Sequence, residues 1–322
     1  MRRFFGGMVI LAIAQVVFGA TQSRPLSELP MISTIAVPAG PGWLGVGFGS
    51  VWLSKSRSHL LLRIDPATDA VVARIPIGPD AELGIGIGLG SVWIADTKEH
   101  SLRQIDPTTN QVVRKVPVNL PAESEGSIAV GDGSVWLLTN DSGTDSGTLT
   151  RLDAVTGKAI AHIPVKPKSH VALFADDAVW VSNSDAASVQ RVDTHTNQVI
   201  AEIPVPAAPR FMAGGEGGVW VLSQSNGALS RIDPATNRVS ATIELGFAGR
   251  GGDLWADEGM VWASAEGAPV SMIDPKTNTL VKQFVGGKEM DTLRAAFGAV
   301  WVVEEPTGKI WKASIDRLKR GP

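Results

Sequence analysis

A Val-Trp pair returns seven times along this chain, with tryptophans at Trp52, Trp93, Trp136, Trp180, Trp220, Trp262 and Trp301. The intervals are 41, 43, 44, 40, 42 and 39 residues. Self-similarity at a fixed period restricts the chain to an architecture of stacked, equivalent units, because one unit of this size cannot bury its own apolar surface. Seven such units account for nearly all of the 322 residues.

Inside each unit the apolar residues alternate with period two between Gly, Pro, Asn and Asp, the pattern of short antiparallel strands. In the second unit the strands read as Gly84 to Leu89, Val92 to Thr97, Ser101 to Ile105 and Gln111 to Val118. Four strands in about 40 residues is the size of a propeller blade. The expected fold is therefore all-β, a seven-bladed β-propeller of four-stranded antiparallel blades.

The turn between third and fourth strands repeats as Asp65-Pro66-Ala67-Thr68-Asp69, Asp106-Pro107-Thr108-Thr109-Asn110, Asp233-Pro234-Ala235-Thr236-Asn237 and Asp274-Pro275-Lys276-Thr277-Asn278. Asp accepts local backbone hydrogen bonds, Pro presets φ, and Asn tolerates the left-handed region. Gly157 replaces Asn in the third unit, as a need for positive φ predicts. His195 falls within the fourth such turn and reads as a solvated turn residue. The seven tryptophans read as one large apolar anchor per blade. The seventh unit lacks a fourth strand, and Ile32 to Pro38 supplies one at the other end of the chain, so the amino-terminal segment is expected to complete the last blade and close the ring.

The 44% hydrophobic content excludes disorder. The net charge of -3 disfavours nucleic acid as a partner, and the absence of cysteine excludes disulfides and thiolate chemistry. Arg2 and Arg3, an apolar run from Met8 to Phe18, and small Gly19 and Ala20 read as a cleaved export signal over residues 1–20. Arg2-Arg3-Phe4-Phe5 resembles a twin-arginine signal. The run is too short to span a bilayer, so a periplasmic or secreted monomer is expected. Residues 21–31 form an amino-terminal segment, 32–316 the propeller, and 317–322 a basic tail.

The unit spelled by Gly-Ser-Val-Trp, then Arg-Ile-Asp-Pro-Ala-Thr-Asn, then a Val-rich strand ending Ile-Pro-Val resembles the YVTN-repeat family of seven-bladed propellers and the streptogramin (virginiamycin B) lyase propellers, over residues 32 to 316. The resemblance to the lyases implies metal-assisted elimination, with an acid three places after the tryptophan and a histidine opening the first strand. Those positions hold Lys55, Asp96, Thr139, Asn183, Ser223, Ala265 and Glu304, and Gly42, Leu83, Gly126, His170, Arg210, Gly252 and Asp291. Asp96 and Glu304 are the acids, and His170 is the histidine.

Propeller ligands usually sit at one mouth of the central channel, so the loops leading into the first strands matter most. They offer Trp43; Asp80 and Glu82; Glu123 and Glu125; Lys166, Lys168 and His170; Arg210 and Phe211; Arg250 and Asp253; Lys288, Glu289 and Asp291. Acids, then bases, then acids again make a bipolar mouth suited to a ligand with an anionic and a cationic end. His170 and Arg210 occupy equivalent positions in adjacent blades and could converge on one ligand, with Phe211 or Trp43 as an apolar wall. Arg294 stands where Gly45, Gly86, Ala129 and Ala213 keep the strand small, so it must reach the channel or a buried acid. Trp255 is oversized in the same way and reads as a repacking residue.

The ligand-binding candidates are thus Trp43, Glu82, Glu125, His170, Arg210, Phe211, Asp253, Asp291 and Arg294, with His170 and Glu304 as catalytic candidates. Asp96, Asp141 and Asp145 are the metal candidates, the last two in a loop of alternating oxygen side chains, and Mg or Ca would be the ion. The reading favoured is binding of a small molecule or a protein at the mouth without catalysis. The alternatives are a divalent-metal lyase or hydrolase there, or a scaffold that uses the blade rims.

Overall fold

A computed structural model describes residues 22–40, 42–55, 57–78, 84–120, 127–140, 147–247, 251–290 and 292–320. Among these residues the strands form seven sheets, each with four antiparallel strands, in sequence order in the first six blades. The innermost strands are Gly42–Gly47, Ile85–Gly88, Ile128–Gly131, Ser169–Ala175, Pro209–Gly215, Asp253–Asp257 and Leu293–Ala296, for blades one to seven. Each packs against the next, and the last against the first, so the sheets close into a seven-bladed β-propeller around a channel. The second-blade strands run Ile85–Gly88, Ser91–Asp96, Ser101–Asp106 and Gln111–Pro117, within a few residues of the pattern-based boundaries.

Closure uses the amino-terminal strand. Met31–Ala36 pairs antiparallel with Lys309–Ser314, with Ile35 opposite Ile310, and becomes the outer strand of blade seven. Two additions were not legible in the repeat. Gln22–Pro25 lies parallel to Thr279–Val285 and gives blade six a fifth strand. After the last strand, the short helix Ile315–Lys319 is capped by Ser314 Oγ and buries Ile315 and Leu318 in the core between blades six and seven.

The repeat tryptophans are fully buried between blades. Each indole Nε1 donates to the carbonyl five residues earlier, from Gly47 O at 3.0 Å in blade one to Ala296 O at 3.1 Å in blade seven, so one side chain fills the core and fastens its own first hairpin. Truncating such a residue to Ala costs about 3–5 kcal/mol.

In four blades a cation opposite the tryptophan links that blade to the next. Arg63, Arg151, Arg191 and Arg231 lie over Trp52, Trp136, Trp180 and Trp220, 4.6 to 5.1 Å from the ring centroids. Each then donates to the third-to-fourth turn of the following blade: Arg63 to Asn110 Oδ1 at 3.1 Å, Arg151 to Asn197 at 3.0 Å, Arg191 to Asn237 at 2.7 Å and Arg231 to Asn278 at 3.0 Å. The turn Asn therefore does more than tolerate a positive φ. Blade two carries Gln104 opposite its Trp, and the turn it would reach holds Gly157. Blade six carries Met272, and the next blade has no such turn because its outer strand comes from the amino terminus. Donor and acceptor are lost together.

Candidate functional site

The inner strands of the seven blades surround a cavity of about 290 Å³. All seven blades contribute to its wall, including Trp43, Ile85, Ile128, Leu173, Phe211 and Trp255. The volume lies near the lower limit of ligand pockets, roughly 300–1,000 Å³. Trp43 of blade one and Phe211 of blade five meet with ring centroids 6.2 Å apart and planes tilted by 44°. These blades are not neighbours, so the two rings span the channel and form the apolar side of the cavity.

Among the described residues the charged part of the lining is Asp253 and Arg294. Arg294 Nη1 binds Asp253 Oδ2, with side chains only 12% and 5% exposed. Asp253 also accepts from Leu254 N at 2.9 Å and Leu293 N at 3.1 Å, joining blade six to blade seven. Burial pushes its carboxyl up from the usual 3.8, against the pull of the Arg294 guanidinium and the two backbone N–H groups. Arg294 lies 4.6 Å over the Trp255 ring, whose Nε1 donates to Ala295 O at 3.0 Å. Trp255 is thus part of the cavity, not merely a space filler. Arg294 Nε is buried and has no hydrogen-bond partner among the described residues.

The remaining sequence candidates are placed differently. His170 and Arg210 do occupy equivalent positions, each at a bulge, between Ser169 and Val171 and between Pro209 and Phe211. Both are half-buried and neither is among the residues that line the cavity. Arg210 stands over the Phe211 ring at 5.9 Å. Lys166 and Lys168 are engaged by Glu202 at 2.7 Å and Asp185 at 3.5 Å, so the basic arc is partly neutralised within blade four. Glu82, Glu125, Asp291, Asp141 and Asp145 lie outside the described residues.

In five blades the position three residues after the repeat tryptophan holds a loop in place. Lys55 Nζ donates to Gly40 O, Asn183 Nδ2 to Pro167 O at 2.7 Å and Ser223 Oγ to Pro206 O at 3.0 Å, each tying the loop before the inner strand to the second strand. Burial lowers the Lys55 pKa to about 8, with Glu305 opposing and Arg57 assisting. Asp96 pairs with Arg103 at 3.2 Å and caps Lys98 N and Glu99 N. Glu304 accepts from Thr307 at 2.6 Å and Trp311 Nε1 at 3.0 Å. Among the described residues no three His, Asp or Glu are grouped to hold a metal ion, and no helix is long and apolar enough to cross a membrane.

No protein-family model matches the chain, and no curated protein matches it. Solved structures do. Selenomethionine-substituted virginiamycin B lyase from Staphylococcus aureus superposes with a TM-score of 0.73 at 15% identity, over 88% of this chain and 98% of the lyase chain. A catalytically inactive variant of the same enzyme with quinupristin gives 0.73 at 14% identity over the same shares. At these identities the likeness is one of fold: the chain is a seven-bladed β-propeller that resembles virginiamycin B lyase.

Proposed function

We propose that the chain is an exported propeller that binds a small, mostly apolar molecule with a carbonyl-type acceptor in the channel cavity, without catalysis. The Asp253–Arg294 pair carries this reading. A buried ion pair stabilises a fold weakly or not at all. Blades one, two, three and five hold Gly or Ala at the register of Arg294, so the architecture does not ask for a cation there. A desolvated pair in an aromatic-lined cavity is the pattern of a binding site. Asp253 already balances the guanidinium charge, so a neutral acceptor suits the site better than a second anion. The existence of a propeller of the same fold solved with quinupristin supports placing a ligand on this architecture.

Calorimetric titration with a matched aromatic ester, amide and free acid tests the reading. The neutral compounds are expected to bind more tightly than the acid. Their affinity should fall about tenfold or more, or roughly 1.4 kcal/mol, in Arg294→Gln and in Trp43→Ala, and should survive His170→Ala and Arg210→Ala. Affinity that is unchanged in the first two variants and lost in the last two would move the site to the rim. Turnover of a cyclic depsipeptide or lactone with added Mg or Ca would replace binding by lyase chemistry.

A further inference from the structure

At the trailing ends of the inner strands, each inner strand turns into the second strand through a two-residue tip. The first tip residue is left-handed in every blade: Phe48 (φ 52°), Leu89 (52°), Asp132 (50°), Asp176 (48°), Glu216 (49°), Glu258 (58°) and Phe297 (57°). Gly, Asn and Asp suit such a position, whereas bulky apolar residues are strained there. Phe48, Leu89 and Phe297 are nonetheless 41%, 46% and 46% exposed. They belong to blades one, two and seven, which are consecutive only because the ring closes. The other four blades carry acids, and no tip contains Lys, Arg or His.

The acidic tips make hydrogen bonds that apolar side chains cannot. Glu216 accepts from the next blade's tip at Gly259 N (2.8 Å), and Glu258 from Gly298 N (2.9 Å), stitching blades five, six and seven. Phe297, Phe48 and Leu89 have no oxygen with which to continue that stitch. Three neighbouring blades therefore accept backbone strain, exposed apolar surface and a missing hydrogen bond at a position where the same fold takes Asp or Glu elsewhere.

We infer that this end of the propeller is a docking surface for a polypeptide segment with apolar side chains flanked by Lys or Arg. The three apolar tips receive the apolar residues, and the acidic tips of blades three to six receive the cations. Asp132 already pairs with Arg151 at 2.9 Å, and Lys319 Nζ donates to the Glu258 carbonyl, which leaves Asp176, Asp177 and Glu216 as the main acidic arc. A second copy of this chain fits poorly, because a two-fold contact sets acid against acid or acid against the apolar trio. An anionic membrane would meet the same arc.

The test titrates the full chain with a labelled short peptide of Phe, Leu and Lys, and with its counterpart bearing Glu for every Lys. The Lys peptide is expected to bind and the Glu peptide not. The triple variant Phe48→Asp, Leu89→Asp, Phe297→Asp should lose about tenfold or more in affinity while melting at the same or a higher temperature, since Asp is at home in this turn. Asp176→Asn with Asp177→Asn should weaken binding and flatten its salt dependence. The proposal fails if neither peptide binds, if both bind alike, or if the triple variant binds normally. It also fails if that variant melts lower, which would make the tips structural. Binding to anionic phosphatidylserine vesicles in place of the peptide, or a dimer that the triple variant abolishes, would identify a different occupant and overturn it.

Discussion

Lys312 Nζ lies 2.7 Å from Asp69 Oδ1, across the seam where the last blade meets the first. Lys312 also sits 4.8 Å from the Trp301 ring centroid, and Ser33 of the closing strand donates to Asp69 Oδ2 at 2.6 Å. The contact repeats the Arg–Asn latch of the other junctions with the charge arrangement changed: a shorter cation meets a carboxylate. Lys312→Met should lower stability by about 1.5–3 kcal/mol, the range for a hydrogen bond to a charged partner. Methionine is tolerated at that register in blade six, so packing is preserved. Lys312→Arg with Asp69→Asn rebuilds the common latch and should recover most of the loss. Urea unfolding midpoints measure both, and a silent Lys312→Met would show that the seam is held by strand pairing alone.

The latch is also testable where it is intact. Arg231 donates to Asn278 Oδ1 at 3.0 Å and lies over Trp220 at 5.1 Å. A double-mutant cycle with Arg231→Met and Asn278→Gly should give a coupling of about 0.5–3 kcal/mol, as for residues in one hydrogen-bond network. Independent effects would mean that the Asn serves only its turn.

Lys55 sets a pH dependence at the alkaline side. Its folded pKa is about 8, below the usual 10.5, because it is buried. The folded state therefore disfavours its proton, and the stability tied to this group rises as pH climbs from about 8 to 10.5. The wild type should gain stability across that window relative to Lys55→Met, which should also be the more stable of the two near neutral pH. Parallel pH profiles of the urea midpoint for the two proteins would contradict this.

Acid acts through the turns. Asp65, Asp106, Asp153, Asp193 and Asp233 are held below the usual 3.8, chiefly by backbone N–H groups two or three residues on, such as Ala67 N at 2.7 Å from Asp65 and Thr196 N at 2.7 Å from Asp193. Their contribution is present above about pH 4 and lost as pH falls through the lowered values. Asn at all five positions keeps the hydrogen bonds and should flatten the midpoint profile below about pH 4. An unchanged slope would place acid sensitivity elsewhere.

The fold was readable because its information is periodic. A Val-Trp pair in each unit and an Asp-Pro turn in four of them determine strand count, blade number and closure without knowledge of any contact. What joins the blades was harder to read. Arg63 and Asn110 stand 47 residues apart, and their pairing becomes visible only when the third strand of one blade is known to face the turn of the next. The shared loss at Gln104 and Gly157 was present in the sequence but had no meaning without that geometry. Gln22–Pro25 carries too few residues for a strand pattern.

The site was half legible. Arg294 and Asp253 each stood out as charges, Arg294 because its strand position is small in other blades. Trp255, at the same register in the adjacent blade, also stood out as oversized but reads from sequence as a repacking residue, whereas the two side by side line the cavity. His170 and Arg210 share a register as expected, but a bulge at each re-aims the backbone, and period-two counting cannot see a bulge.

The central claim is that ligand occupies the channel cavity between the aromatic and the charged walls. A crystal structure of the chain with the tightest ester or amide from the titration tests it most directly. The account predicts density against Trp43, Phe211 and Trp255, with the acceptor oxygen within hydrogen-bond distance of Arg294. An empty cavity with the compound bound over His170 and Arg210 at the rim would contradict it.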